Sequence, residues 1–293
     1  MAKRNGPVAV VGAGTMGHGI AQIVAQNGLQ VRLTDTSDDA LVAAESKIQL
    51  SLDRAVARGV VTRERRDETL ARIRLTTDVE DAVRDCQLVI EAVPEDAEIK
   101  RAVFEHIDRV APEEAVLATN TSAMSITLIA SWTKRPERVL GLHFFNPVDR
   151  MPLVEIVRGL TTDERTIERG RALVERIDKE SILVADRPGF ATSRLSAAIG
   201  NEAWYMFMEG VAPPEDIDRA VKLALGFPMG PFELGDLIGL DIRLSVLRTL
   251  HATLGERFRP CPLLIEYVDA GYLGRKTGRG VYEYHDGRRS GER

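Results

Sequence analysis

The strongest constraint on the fold is a glycine-rich stretch close to the start of the chain. Residues 8–11 read VAVV, a short apolar run typical of a strand that is buried on both faces. The pattern G-x-G-x-x-G follows at residues 12–17, and helical periodicity continues to about Asn27. A second strand is predicted at residues 31–34, and Asp35 stands at its end. The stretch therefore has the order strand, tight turn, helix, strand that dinucleotide-binding domains share.

Each position of this pattern has a physical reason. Gly12 permits a turn that a Cβ would block, Gly14 lets a pyrophosphate approach the backbone, and Gly17 lets the helix pack on the strand. The helix N-terminus, which begins around Thr15 and Met16, then presents free N–H groups and partial positive charge to the phosphates.

The acidic residue at the end of the second strand indicates which dinucleotide binds. Asp35 lies 18 residues after the last glycine of the pattern, where a carboxylate accepts hydrogen bonds from the adenosine ribose. Because a carboxylate repels a 2′-phosphate, we predict NAD rather than NADP. Arg32 and Thr36 lie close enough in sequence to weaken this preference.

Composition excludes several classes of protein. The 293 residues include 44% hydrophobic and 28% charged residues, an ordinary balance for a soluble globular protein. A net charge of −5 argues against nucleic acid as the main partner. Two cysteines, Cys86 and Cys261, indicate neither a disulfide framework nor a metal site. We find no membrane-spanning run and no targeting segment before the first strand, so we expect a cytoplasmic protein.

Strand and helix patterns alternate as far as residue 185, which predicts a Rossmann-type doubly wound α/β sheet in a first domain at 1–186. A helical hairpin at about 38–72 is inserted between its strands. Residues 187–293 show helical periodicity and predict an all-α second domain. The polar tail after His285 is expected to lack regular structure.

A second group of polar residues falls at predicted strand ends. Ser122 closes the sequence TNTS at 119–122, and His143 begins the sequence HFFNP at 143–147. Ligands of open α/β sheets bind at the carboxyl ends of the strands, so both side chains are well placed. Glu155 lies inside an apolar strand and needs a partner, because an unpaired buried charge is costly. We expect that partner to be His143, since a carboxylate orients an imidazole and stabilises its protonated form.

These motifs together carry a family resemblance. The chain resembles the L-3-hydroxyacyl-CoA dehydrogenase family, which includes 3-hydroxybutyryl-CoA dehydrogenases, over nearly its whole length. The matching segments are GAGTMGHGIA, NTSA, GLHFFNPV, LVEIV, PGF, PMGPFELGDLIGLD and GRKTGRGVYEY. The most specific is HFFNP with a glutamate 12 residues after its histidine.

The resemblance implies NAD-dependent, reversible oxidation of (S)-3-hydroxyacyl-CoA to 3-ketoacyl-CoA. His143 would be the general base, Glu155 would hold and support it, and Ser122 would hydrogen-bond the reacting oxygen. The residues implied in NAD binding are Gly12, Gly14, Thr15, Met16, Gly17, Asp35, Glu95, Lys100, Asn120, Ser122, Asn146 and Lys276. Ser51 and Arg58 match positions that contact coenzyme A, although Arg58 stands where the family has Lys. The second domain would complete the cleft and form a homodimer interface.

One position departs from the family pattern. After Pro188-Gly189-Phe190 the family has an Asn before Arg, whereas this chain has Ser193 before Arg194. We retain Ser193 as a candidate active-site residue. A serine donates one hydrogen bond but reaches less far than an asparagine, so the way the substrate carbonyl is held and the acyl chain that fits are left open.

Two other functions remain as alternatives at this point. The first is a related dehydrogenase of a free hydroxy acid or sugar acid, which would not need the positive charge of Arg58. The second is an NAD-binding protein without turnover, against which the intact set of Ser122, His143 and Glu155 argues.

Overall fold

The computed structural model describes residues 6–285 and 288–290. The chain divides into two compact units, Met1–Asp186 and Arg187–Arg293. No helix in the described ranges is both long enough and apolar enough to cross a membrane.

The first unit is an eight-stranded sheet covered by helices. Its strands are β1 (Val8–Val11), β2 (Val31–Thr34), β3 (Ile73–Thr76), β4 (Leu88–Glu91), β5 (Val116–Thr119), β6 (Val139–Phe144), β7 (Leu153–Arg158) and β8 (Glu180–Ala185). Its helices are α1 (Gly17–Gln26), α2 (Asp38–Ala57), α3 (Arg63–Ala71), α4 (Val79–Val83), α5 (Ala97–Val110), α6 (Ile126–Ala130) and α7 (Glu164–Arg176).

The strand order is β3-β2-β1-β4-β5-β6-β7-β8. Neighbouring strands are parallel, except that β6 and β7 are antiparallel. The chain winds outward from β1 in both directions, with β2 on one side and β4 on the other, which creates a switch point at the carboxyl end of β1. The predicted doubly wound α/β sheet is confirmed.

Burial explains why the glycine-rich stretch begins with VAVV. All four residues of β1 are buried, because helices cover both faces of the sheet. From α1, Ile20 and Val24 pack into the same core with no exposed surface. The strand and the helix are therefore fixed against each other on both sides of the glycine turn.

The hairpin between β2 and β3 is delimited by capping residues. Ser37 Oγ accepts a hydrogen bond from Ala40 N at 3.2 Å, and Thr62 Oγ1 accepts one from Arg65 N at 3.2 Å. Between the two helices, Gly59 adopts a left-handed φ of +70°. The sequence therefore stops α2 and starts α3 within a few residues.

The second unit is built from helices α8 (Thr192–Met208), α9 (Pro214–Leu225), α10 (Pro231–Ile238), α11 (Leu240–Leu254) and α12 (Pro262–Asp269). Its core is aromatic: the ring of Trp204 packs edge-on against Phe232 and Tyr267 at centroid distances of 5.3 and 4.9 Å.

The expectation of an irregular tail after His285 is wrong at two positions. Strand β10 (Arg288–Arg289) pairs antiparallel with β9 (Tyr284–His285). The guanidinium of Arg289 lies 3.5 Å from the ring centroid of Tyr282 and forms ion pairs with Glu215 and Glu233. These contacts hold β10 in place. Because the segment is polar, no apolar pattern in the sequence predicts this strand. Residues 286, 287 and 291–293 of the expected tail lie outside the described residues.

A buried carboxylate anchors this C-terminal segment. Asp236, on α10 and 1% exposed, accepts hydrogen bonds from Val281 N (2.9 Å), Tyr282 N (2.9 Å) and Tyr284 Oη (3.0 Å). Burial raises the pKa of Asp236, while these hydrogen bonds act to lower it. One side chain thus satisfies two amides and a phenol.

We predict that Asp236→Ala lowers the free energy of unfolding by about 1–3 kcal/mol or more, because it leaves several buried donors without an acceptor. Tyr284→Phe is the matched control, since it removes a single hydrogen bond and leaves both amides satisfied. Urea unfolding of the whole chain measures both variants. Equal midpoints for the two would contradict the anchoring role of Asp236.

Candidate functional site

The glycine turn has the shape that phosphate binding requires. Gly12 has a φ of +103°, and a Cβ there would lie 2.7 Å from the backbone of Ala92. A Cβ on Gly17 would lie 1.7 Å from the carbonyl oxygen of Gly12. At Gly14, in contrast, a Cβ would meet nothing within 4 Å. Two glycines therefore permit close packing, and the third leaves an open approach to the backbone.

The N-terminus of α1 is not capped by a side chain. Its N-cap, Met16, makes no side-chain capping hydrogen bond, and the first turn contains no Asp or Glu. Gly14 and Thr15 are exposed beside it, and His18 Nδ1 lies 2.7 Å from the carbonyl oxygen of Gly14. The positive end of the helix dipole is therefore available to an anion.

Asp35 is tied to the same turn. One carboxylate oxygen accepts a hydrogen bond from Ala13 N at 2.8 Å, and the other accepts one from Ser37 N at 3.1 Å. Arg32, a possible competitor for a 2′-phosphate, is engaged elsewhere: Nη2 donates to Asp85 Oδ2 at 2.9 Å, and Nη1 donates to the carbonyl oxygen of Asp81. The open turn, the helix N-terminus and the carboxylate together fit a bound NAD.

His143 and Glu155 form a buried pair because of the strand register. They lie directly opposite each other on β6 and β7, the antiparallel neighbours in the sheet. His143 Nδ1 is 2.7 Å from Glu155 Oε2, and the two residues are 4% and 0% exposed. Since an ionised carboxylate only accepts, Nδ1 carries the proton of the neutral imidazole and Nε2 keeps its lone pair.

Ser122 lies on the other side of the imidazole. Its Oγ is 3.0 Å from His143 Nε2, and the residue is exposed. Asn120 connects the two segments, since its Oδ1 accepts a hydrogen bond from Phe144 N at 2.8 Å. The structure thus joins Ser122, His143 and Glu155 in one hydrogen-bonded chain. In this chain Nε2 of His143 is an acceptor next to the hydroxyl of Ser122.

A second buried carboxylate, which is not among the site residues predicted from the sequence, supports the Ser122 loop. Glu91, at the end of β4 and 0% exposed, accepts hydrogen bonds from Val93 N (2.8 Å), Lys100 Nζ (2.6 Å) and Thr119 Oγ1 (2.6 Å). The signal that revealed Glu155, a carboxylate inside an apolar strand, was present at Glu91 as well.

Thr121 extends this network to the residues on either side of Ser122. Thr121 N donates to Thr119 Oγ1 at 3.3 Å, and its hydroxyl contacts Glu95 Oε1. The same hydroxyl accepts a hydrogen bond from Met124 N at 2.9 Å. Lys100 Nζ lies 3.3 Å from Glu95 Oε2.

Lys100 occupies a different environment from the other residues implied in NAD binding. It is 1% exposed, and its ammonium is shared between Glu91, Glu95 and the carbonyl oxygen of Val93. Its contact with NAD therefore stays a prediction.

The remaining predicted residues of the first unit are spread over two regions. Asn146 is exposed next to the Asn146–Pro147 cis peptide, three residues after His143. On α2, Ser51 Oγ accepts a hydrogen bond from Gln22 Nε2 at 3.1 Å. Arg58 is exposed and donates to the carbonyl oxygen of Arg54 at 3.2 Å; within the described ranges, no Asp or Glu pairs with it.

Two predicted residues lie in the second unit. Ser193 is in the first turn of α8, and Lys276 Nζ contacts both carboxylate oxygens of Asp241 at 2.6 Å. The roles of Ser193 in catalysis and of Lys276 in NAD binding stay predictions.

Comparison with known proteins gives the family. A model of the 3-hydroxyacyl-CoA dehydrogenase NAD binding domain matches residues 7–187, and a model of the 3-hydroxyacyl-CoA dehydrogenase C-terminal domain matches residues 189–284. The chain belongs to the 3-hydroxyacyl-CoA dehydrogenase family. The resemblance inferred from the sequence is confirmed, and with it NAD as the cofactor of this oxidoreductase.

Individual members of the 3-hydroxyacyl-CoA dehydrogenase family cover nearly all of the chain. A 3-hydroxybutyryl-CoA dehydrogenase of Bradyrhizobium diazoefficiens is 45% identical over 94% of each chain. A 3-hydroxyadipyl-CoA dehydrogenase of Escherichia coli is 43% identical over 94% of this chain and 58% of its own. The crystal structure of an (S)-3-hydroxybutyryl-CoA dehydrogenase from Ralstonia eutropha superposes with a TM-score of 0.92, at 42% identity, over 96% of this chain and 99% of that one.

We predict that Thr121→Val lowers kcat about threefold to tenfold, because it removes the hydroxyl that holds the loop on both sides of Ser122. The matched control is Thr121→Ser, which keeps the hydroxyl and should keep most of kcat. Both are measured as NADH-dependent reduction of acetoacetyl-CoA.

If Thr121 acts through Ser122, Thr121→Val should have little further effect in a Ser122→Ala background. An equal loss of kcat with and without Ser122 would show instead that Thr121 acts through general stability.

Proposed function

We propose that the chain catalyses the reversible oxidation of an (S)-3-hydroxyacyl-CoA to the 3-ketoacyl-CoA, with NAD as the hydride acceptor. The observation that carries the proposal is the line Ser122–His143–Glu155, in which Nε2 of a buried, oriented imidazole meets an exposed hydroxyl. It lies in the same unit as the NAD-binding turn.

His143 is the proton acceptor of the oxidation. In the neutral imidazole, Nδ1–H donates to Glu155, so the lone pair of Nε2 points toward Ser122 and is available to the substrate 3-hydroxyl. As the proton moves to Nε2, Glu155 stabilises the cationic ring at 2.7 Å. NAD, when bound, supplies the acceptor for the hydride that leaves C3. In the reverse direction the imidazolium returns its proton to the ketone oxygen.

Ser122 and its supporting network hold the reacting oxygen. Because Ser122 Oγ lies 3.0 Å from His143 Nε2, a substrate oxygen that gives its proton to Nε2 also comes within reach of the Ser122 hydroxyl. Asn120 fixes the separation of the Ser122 loop and β6 through its bond to Phe144 N. A fixed geometry is favourable here because catalysis depends on groups that are already oriented before the proton moves.

The hairpin binds the coenzyme A part of the substrate. Arg58, the C-cap residue of α2, has an exposed guanidinium that no described acidic residue pairs with, whereas Arg66 on α3 is occupied by Asp53 and Asp67. A guanidinium is well suited to phosphate. The unpaired guanidinium of Arg58 therefore favours an acyl-CoA substrate over a free hydroxy acid, which has no phosphate for it to contact.

We further propose a homodimer formed through the second unit, in the cytoplasm. The dimer is supported by apolar side chains that the second unit leaves exposed on and beside α9, among them Leu223 (78%) and Leu225 (64%). The cytoplasmic location is supported by the two free cysteines, Cys86 and Cys261, since reduced thiols are usual there.

We predict that His143→Gln lowers kcat by about 10²–10⁴-fold, because it removes the only lone pair that the Glu155-oriented ring offers to the hydroxyl. The NAD dissociation constant should change little, since the glycine turn and Asp35 are untouched. Turnover that survives the substitution would mean that another residue is the base.

We predict that Arg58→Glu raises KM for acetoacetyl-CoA about tenfold or more and leaves kcat largely unchanged. The matched control is Arg84→Glu, the same charge change at an exposed C-cap outside the hairpin. An equal rise in both variants would indicate long-range attraction rather than docking. No rise in either would favour the free hydroxy acid as substrate.

A further inference from the structure

One lysine of the first unit holds the connection between β6 and β7. Residues 145–152, the β6–β7 turn, join the two strands that carry the buried histidine–glutamate pair. Lys179 Nζ donates hydrogen bonds to the carbonyl oxygens of Val148 and Met151, at 2.7 and 2.6 Å. Partial burial lowers the pKa of Lys179, and no Asp or Glu of residues 6–285 and 288–290 forms an ion pair with it. The two carbonyls are therefore the groups that replace water around this ammonium.

The main chain around Lys179 places its side chain beside the turn. After α7, Asp178 adopts a left-handed φ of +57°, a conformation that is uncommon for residues other than glycine. Lys179 N donates to the carbonyl oxygen of Val174 at 3.1 Å. The next residue, Glu180, donates through its N–H to the carbonyl oxygen of Pro152 at 2.8 Å. Lys179 is therefore fixed on both sides at the point where the chain passes from α7 into β8.

The β6–β7 turn also packs against the helix that follows the glycine turn. Val148 is 3% exposed and belongs to the same buried cluster as Ile20 of α1. A Cβ on Gly19 would lie 3.0 Å from the side chain of Val148, so α1 has a glycine where the β6–β7 turn contacts it. Gly19 lies in the first turn of α1, whose N-terminus fits the phosphates of NAD. By holding the carbonyl of Val148, Lys179 fixes this contact.

The position of the β6–β7 turn determines which half of NAD it borders. Asp35, which fits the adenosine ribose, follows β2 on one side of β1, whereas β4, β5 and β6 lie on the other side. The proposed reaction puts C3 of the substrate beside His143 of β6, so the nicotinamide must extend from the glycine turn toward that strand. The β6–β7 turn continues β6 and contacts α1, so it borders the nicotinamide half.

We propose that Lys179 is a positioning residue for the nicotinamide half of NAD: it holds the β6–β7 turn against α1, and the turn forms one wall of the nicotinamide site. The inference rests on the proposed function, which places hydride transfer next to His143. Without the ammonium, the carbonyls of Val148 and Met151 lose their common donor and the turn is no longer held in place. The adenosine half keeps its contact with Asp35.

The test separates the two halves of the cofactor by comparing NADH with ADP-ribose, which lacks the nicotinamide. In Lys179→Met we expect the dissociation constant of NADH, from fluorescence titration, to rise at least about fivefold, and that of ADP-ribose, from displacement of NADH, to stay within about twofold. Lys179→Arg, which keeps a cation with N–H donors, should retain part of the NADH affinity. The matched control is Arg150→Met, which removes an exposed cation of the same turn and should leave both constants unchanged.

A second measurement uses the wild-type chain and so does not depend on the folding of a variant. The amides of Arg150 and Met151 both donate to the carbonyl oxygen of Pro147 at 3.1 Å. Bound NADH should slow hydrogen exchange at these amides, because the nicotinamide covers the β6–β7 turn, whereas bound ADP-ribose should not.

Four results would overturn the inference. These are unchanged NADH affinity in Lys179→Met, an equal loss of affinity for NADH and ADP-ribose, an equal effect of Arg150→Met, and the absence of any difference between the two ligands in hydrogen exchange of the turn. All four are binding measurements. A chain that binds NADH as expected but does not reduce acetoacetyl-CoA would refute the proposed function, which is a separate result.

Discussion

The hydrogen bond between His143 and Glu155 is the interaction on which the candidate site depends. Glu155 has no exposed surface, so its carboxylate requires a partner inside the sheet. The antiparallel pairing of β6 and β7 supplies that partner, because it sets two residues 12 positions apart directly opposite each other. A slip of one residue would turn one of the two side chains to the other face of the sheet. The register of this strand pair therefore determines whether the imidazole is oriented at all.

Two buried carboxylates of the same sheet, Glu91 on β4 and Glu155 on β7, are used in different ways. Glu91 is saturated by an ammonium, a hydroxyl and an amide, so it holds the ends of β4 and β5 and the loop that carries Ser122. Glu155 holds one nitrogen of an imidazole and leaves the other nitrogen facing a hydroxyl. The first arrangement fixes geometry, and the second leaves a group that exchanges a proton.

The sequence predicted those parts of the site that depend on local spacing or on a strong pattern. The glycine turn, Asp35 and the doubly wound sheet follow from residues that are close in sequence, and the partner of Glu155 followed from the cost of a buried charge. Thr121 was missed because its partner Glu95 lies 26 positions away and is identified only when α5 and β5 are in place. Glu91 carried the same signal as Glu155, a carboxylate in an apolar strand, and that signal was not used. The pairing of Arg289 with β9 was missed for a different reason, since polar residues in a tail carry no periodic signal.

The state of the His143 ring tests this account most directly. Nitrogen-15 NMR of the histidine side chains, with His143 assigned by its absence from the spectrum of His143→Gln, reports which ring nitrogen carries the proton. The account predicts that the neutral ring is protonated at Nδ1, toward Glu155, and unprotonated at Nε2, toward Ser122. A neutral ring protonated at Nε2, with Nδ1 free, would contradict it, because no lone pair would then face the hydroxyl of a substrate.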